Sequence, residues 1–247
     1  MLALTSKFVW LRPDSAAIDV PSSKVTGLLD RYNPGHIFSQ ATTALQAATP
    51  VANANFNNQL VYAFPGTTET YQSNWTTAQW SPLHAVAGVR VWAVVGWTSL
   101  VNTSPIITTM NWSLFSTAGV TTGIGPGLAM VRSAAKFRCQ LWSDTGALRI
   151  ADSSVVGTIA TNTAYVLSTA YQAGSFDVRQ DNGSIYSAAV TGPSANPANM
   201  PAIIGATGGA SVGGGMLLAD LIALVNPSVA DAQLVSDYIF DRYAKVA

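Results

Sequence analysis

The sequence predicts an all-β sandwich or barrel that ends in one helix. Three observations carry this expectation: apolar residues alternate with period two in several segments, turn signals separate those segments, and a capped amphipathic stretch closes the chain. With 247 residues and no Pro- or Ser-rich linker, a single domain over 1–247 is expected.

The elements follow in chain order. Leu60, Tyr62 and Phe64 alternate and stop at Pro65-Gly66. Val89, Val91, Ala93, Val95 and Trp97 alternate with Arg90, Trp92 and Val94, which reads as a strand covered on both faces. Phe137, Cys139 and Leu141 lead through Asp144-Thr145-Gly146 to Leu148 and Ile150, a hairpin pattern. A second hairpin runs from Phe176–Arg179 through Asp181-Asn182-Gly183 to Ile185-Tyr186, with Asn-Gly supplying the positive φ of a type I′ turn. Met216–Val225 reads as a buried strand. Ser228 as N-cap and Asp231 at the third helical position then open a helix over about 228–244, with Leu234, Val235, Tyr238 and Ile239 on its apolar face. Arg242 and Lys245 near its end suit the macrodipole.

Composition removes several function classes. Charged residues are 10% of the chain, against roughly 25% in an average domain. Twelve Lys+Arg balance twelve Asp+Glu, and mean hydropathy is +0.27. Disorder is excluded, because it requires low hydrophobicity and high net charge. Nucleic-acid binding and polybasic membrane association both need clustered Lys and Arg, so neither is expected. Cys139 is the single cysteine, so no intrachain disulfide forms. The first fourteen residues reach Lys7 and Arg12 without an apolar run, unlike a signal peptide. Residues 202–219 carry no charge but contain six glycines, which oppose a membrane-spanning helix.

The order of segments resembles the concanavalin A-like jelly-roll domains of the laminin-G and pentraxin-like group, above all those of bacteriophage particles and bacterial surface proteins. Phe8-Val9-Trp10-Leu11-Arg12-Pro13-Asp14 resembles their aromatic opening strand, and Leu29–His36 their Asp-x-Ser-Gly-x-Gly stretch. Gln40–Pro50 and Phe56–Gly66 follow as the family's Ala/Thr-rich segment and next strand. Near the end, Ile203–Ala206, Leu218–Val225 and Ser228–Tyr243 are similar to its Ile-Gly segment, Gly-Asp-Ile-Ala-Glu strand and closing helix. Here Ala219 replaces the Gly before Asp220, and no Glu follows Ala223. The resemblance implies a jelly-roll sandwich of two antiparallel sheets with a short C-terminal α-helix.

Catalytic relatives on this scaffold use a Glu-x-Asp-x-x-Glu strand, in which two carboxylates divide the work of nucleophile and acid. Eleven of the twelve acids here are aspartates and Glu69 stands alone, so that motif is absent and no enzyme is expected. Asp177 and Asp181 leave a polysaccharide-cleaving enzyme as the remotest alternative. Gly209-Ala210-Ser211-Val212-Gly213 has the G-x-S-x-G spacing but lacks the strand-to-helix context of a nucleophile elbow. Gly123–Gly127 reads as a turn, since no helix start or lysine follows it. The two histidines, His36 and His84, read as loop residues, and with Cys139 they show no zinc spacing. No cofactor is expected. Calcium, held by several relatives, has no D-x-D-x-D run here, because Asp14, Asp19, Asp30, Asp144 and Asp152 are scattered. Asp220 reads as a buried, hydrogen-bonded carboxylate supporting a loop, and Cys139 as a small core residue.

Seven tryptophans allow glycan stacking. Trp92 and Trp97 lie within a strand and read as core. Trp75, Trp80, Trp112 and Trp142 are the candidates for glycan contact, although subunit interfaces enrich Trp equally. The expected function is a non-catalytic structural protein of a bacteriophage particle: a capsid decoration, fibre or tail-associated domain located in the virion. Its partners would be further copies, other virion proteins and, through adhesion, a cell-surface polysaccharide, with no nucleic acid and no membrane insertion. The uncharged segments Ile37–Thr68 and Val91–Val131 suit such contacts, because few charges need desolvation. The alternative is a lectin-like carbohydrate-binding module of an extracellular or cell-surface protein.

Overall fold

The computed structural model describes residues 4–19, 23–66, 69–85, 88–100, 104–110, 126–133, 135–142, 148–152, 159–172, 174–181, 183–189, 196–205 and 214–244. Its strands are β1 (Lys7–Asp19), β2 (Lys24–Asp30), β3 (Ile37–Ser39), β4 (Ala48–Asn53), β5 (Gln59–Phe64), β6 (Thr70–Ser73), β7 (Val89–Trp97) and β8 (Ser104–Thr108). They continue as β9 (Gly127–Ser133), β10 (Lys136–Trp142), β11 (Leu148–Asp152), β12 (Tyr165–Gln172), β13 (Ser175–Gln180), β14 (Gly183–Ala189), β15 (Ile203–Gly205) and β16 (Met216–Val225). Two single-turn helices, α1 (Thr77–Trp80) and α2 (Pro82–Ala85), lie between β6 and β7, and α3 (Val229–Arg242) follows β16. The all-β jelly-roll sandwich with a C-terminal helix is therefore the observed fold.

The strands follow one continuous hydrogen-bonded order, β11-β10-β9-β8-β15-β6-β3-β2-β4-β5-β16-β7-β12-β13-β14, which the single Lys24–Ala48 pairing of β2 with β4 divides into a first sheet, β11 to β2, and a second, β4 to β14. The pairings described are antiparallel throughout. β1 serves both sheets: Lys7–Leu11 pairs with β16, and Leu11–Asp19 with β2. β16 in turn lies between β7 on one edge and β5 with β1 on the other.

Alternation sorts the residues into two cores. Val89, Val91, Ala93, Val95 and Trp97 of β7 point between the sheets, where they meet Phe64, Tyr71, Leu167, Phe176 and Met130. Trp92 and Val94 point outward into a second core with Trp10, Ile222, Leu224, Val235, Ile239 and Phe240, beneath α3. The strand expected to be covered on both faces is so because the terminal helix lies on its outer face. Cys139 is part of the inner core, and burial pushes its thiol well above the usual range.

Several details differ from the sequence expectation. Gln180 pairs with Gly183, so Gly183 already stands in β14, and Asp181 takes φ +48° with its carboxylate accepting from Val166 N at 3.0 Å. The aspartate, not Asn-Gly, thus begins the turn. Leu234 is 44% exposed, and Phe240 takes its place on the buried face of α3. Ser228 does cap α3, accepting from Asp231 N at 3.0 Å, while the Asp231 carboxylate turns to Thr5. Val91–Trp97 owes its lack of charge to burial and offers no contact face. The glycine-rich segments at 206–213 and 111–125, including the G-x-S-x-G spacing and all but the end of Gly123–Gly127, lie outside the described residues, as does the first hairpin's turn at 143–147.

Gly205 ends β15 at φ +87°, where a Cβ would stand 2.3 Å from the backbone oxygen of Glu69. Both the strained φ and the immovable carbonyl penalise any side chain. Gly205→Ala is expected to cost about 2–4 kcal/mol, read as a lowered denaturation midpoint at unchanged slope.

Candidate functional site

The loop between β2 and β3 is organised by one carboxylate. Asp30 Oδ1 accepts from Trp10 N at 3.0 Å and Tyr32 N at 2.8 Å. Its Oδ2 faces Asn33 Nδ2 and His36 Nδ1, both at 2.8 Å. The loop is further closed by His36 N donating to Asn33 O and Asp30 N donating to His36 O. This brings His36 to the end of β6, where its Nε2 lies 2.8 Å from Ser73 Oγ. Asp30, His36 and Ser73 are thus aligned as in a nucleophilic triad, with Asp30 and His36 at the two ends of the β2–β3 loop.

Hydrogen-bond valence decides what this alignment can do. A serine hydroxyl has one proton and two acceptor sites. Ser73 Oγ receives Trp80 Nε1 and Trp75 N, each at 3.0 Å, so its proton is left for His36 Nε2. The imidazole then carries its proton on Nδ1 and donates it to Asp30. All three side chains are buried, with exposures of 4%, 1% and 5% in chain order. Trp75 lies flat on His36, ring centroids 3.8 Å apart and 12° between planes, and Phe8 meets Trp75 edge-on. A nucleophile needs an approachable oxygen with a free lone pair, and Ser73 has neither. The relay joins the β2–β3 loop, β6 and α1. An active-site-directed fluorophosphonate is expected to leave Ser73 unlabelled, checked by intact-protein mass spectrometry.

A second polar centre lies beneath α3. In β16 the register slips between Leu218 and Asp220. Before the slip Met216 and Leu218 face the inner core, and after it Leu221 and Ala223 do. Asp220 is thereby turned toward the helix, a β-bulge re-aiming one side chain. Its Oδ1 accepts from Trp10 Nε1 at 2.8 Å, and its Oδ2 from Tyr243 OH at 2.6 Å and Tyr238 OH at 3.0 Å. Burial raises its carboxyl to about 6, opposed by those hydrogen bonds and by the Arg12 guanidinium. The expectation of a bonded, buried carboxylate is met, but Asp220 supports a helix and the opening strand, and not a loop.

The glycan candidates fare unequally. Trp75 is half-buried, with one ring face on His36. Trp80 is a correction: its ring is 0% exposed between Phe8, Phe38 and His36, so no sugar can stack on it. Trp142 ends β10, paired with Gly127 and Leu148, and its side chain is outside the described set. Trp112 lies outside the described residues altogether. His84 is buried in α2, with its Nε2 2.9 Å from Asn196 O. Among the described residues no three His, Cys, Asp or Glu side chains converge as metal ligands, and no helix is long and apolar enough to cross a membrane. The Thr76–Gln79 capping box and the Asp30–His36 spacing were the available sequence signals for the relay.

No protein-family model matches the chain, and no curated protein matches it. Solved structures do. A Trypanosoma rangeli sialidase in complex with sialic acid matches with TM-score 0.59 and 14% identity, over 97% of this chain and 33% of that one. The receptor-binding domain of botulinum neurotoxin mosaic serotype C/D matches with TM-score 0.59 and 10% identity, over 94% and 51%. The botulinum neurotoxin serotype D ligand-binding domain in complex with N-acetylneuraminic acid matches with TM-score 0.55 and 12% identity, over 94% and 51%. The chain therefore spans a third to a half of the length of these structures. At such identities the likeness is one of fold, a β-sandwich.

Proposed function

We propose that this chain is a non-catalytic structural module of a bacteriophage particle, acting in the virion through contacts with further copies and other particle proteins. The observation that carries the reading is the uncharged surface after β2. No charged residue occurs from Ile37 to Thr68, and much of 39–60 is exposed, including Val51 at 58% and Leu60 at 38%. Such a face docks with little charge desolvation. The resemblance of Leu218–Val225 and Ser228–Tyr243 to phage-borne jelly rolls supports the particle setting, and the saturated Ser73 hydroxyl supports the absence of catalysis. The test is mass spectrometry of purified particles together with solution mass of the isolated protein. Incorporation at fixed copy number is expected, and a stable monomer found only outside particles would overturn the reading.

A second activity, adhesion to host glycans, is favoured by the two similar structures solved with sialic acid or N-acetylneuraminic acid. The same activity would serve a cell-surface lectin. A glycan array with the isolated chain tests it.

A further inference from the structure

A polar groove runs along the outer face of the second sheet, between α3 and β13. Two cavities, of about 170 and 30 Å³, meet there at Arg90. The strand register explains its make-up. Arg90 of β7 is level with Ala170 of β12, and Arg179 of β13 is level with Ser168, two residues along on the same face. The two arginines are therefore two strands and two residues apart, about 12 Å between Cα atoms, with β12 as the floor between them. Long guanidinium side chains on such a diagonal can converge on one group.

Beyond the arginines the lining mixes hydroxyls and amides with apolar side chains, Val229 and Ala232 in the larger cavity and Trp92 and Phe240 in the smaller, where the Asp181 carboxylate also stands. Gln172 and Gln233 flank the larger cavity, and Ser168 and Ser236 the smaller. Among the described residues neither Arg90 nor Arg179 forms an ion pair. The neighbouring acids are engaged: Asp181 accepts from Val166 N, and Asp177 from Ser175 Oγ. Burial, then the like charge of Arg179, lowers the Arg90 value, with Asp177 opposing. A bound anion would relieve both effects. The N-terminal end of α3, with Ser228 and Val229 on the rim, adds a partial positive charge.

We propose that this groove binds one acidic saccharide unit, its carboxylate between Arg90 and Arg179 and its hydroxyls on Gln172, Gln233, Ser168 and Ser236. Guanidinium pairs suit carboxylates, and amides with hydroxyls suit ring hydroxyls. A larger cavity of about 170 Å³ accommodates a single sugar. The proposal deepens the adhesion reading by naming its ligand class, and it rests on that reading.

The experiment is NMR titration of the full chain with N-acetylneuraminate, glucuronate, methyl glucoside and sulfate. Both acidic sugars are expected to bind and to shift Arg90, Arg179 and α3 amides, with methyl glucoside and sulfate far weaker. Arg179→Gln, at an exposed site, and Arg90→Gln are each expected to weaken binding about tenfold or more. Gln233→Trp, which fills the groove and retains both arginines, should do the same, whereas Arg31→Gln should bind as wild type. Acid binding unaffected by all three groove variants, or sulfate as tight as glucuronate, would overturn the proposal. An array positive only for neutral glycans would overturn it and leave adhesion standing. No glycan binding at all removes both, and particle incorporation remains a separate readout.

Discussion

Asp220→Ala is expected to lower stability by about 3 kcal/mol at pH 7, because Trp10 Nε1 and Tyr243 OH lose their acceptor inside the second core. Chemical denaturation followed by Trp fluorescence measures it, and hydrogen exchange should show α3 opening first. The isosteric Asp220→Asn isolates the charge. Since the folded carboxyl lies at about 6 against 3.8 unfolded, the fold favours the protonated form. That contribution is fully present below the unfolded value and is lost as pH rises through about 6. That difference corresponds to about 3 kcal/mol. As pH falls from 7 to 3.5, stability should therefore move in favour of wild type, relative to Asp220→Asn, by up to that amount. Parallel pH profiles would show that the bulge does not impose the shift.

Asp30→Ala is expected to cost about 3–5 kcal/mol, since it strips the acceptor from two backbone amides, from Asn33 and from the buried His36. Asp30→Asn is the more discriminating variant. Its amide would donate where His36 Nδ1 now donates, forcing the imidazole proton onto Nε2. That proton would point at Ser73 Oγ, whose acceptor sites Trp75 and Trp80 already occupy. A loss of about 1–3 kcal/mol is expected. Nitrogen NMR of the wild type should show His36 with the proton on Nδ1. Wild-type stability in Asp30→Asn, or a proton on Nε2, would contradict the relay.

The strands and α3 could be read from the sequence because their signals are local. Period-two alternation in Val89–Trp97 and the Ser228 cap each act within a few residues. What could not be read depends on distant partners. Nothing near Asp220 in the chain indicates a register slip against β7, and alternation alone would aim its carboxylate at the inner core. His36 and Ser73 are 37 residues apart, and Trp80 looked like an exposed aromatic because its neighbours Thr76, Thr77 and Gln79 are polar. Those polar residues cap and flank a single helical turn that buries the ring. Arg90 and Arg179 become neighbours only through the register of β12, which no single strand encodes.

The position of β16 also constrains how the chain can fold. The last strand in sequence is inserted at the centre of the second sheet, between β7 and β5, and it is also where β1 docks. Before residue 225 leaves the ribosome, β7 and β5 each lack a neighbour and the opening strand has one of its two sheets missing. Loop closure over more than 200 residues precedes the reward of that pairing, which predicts slow folding. A nascent chain held short of β16 would expose apolar strand edges, the condition under which strand pairing between chains competes with folding.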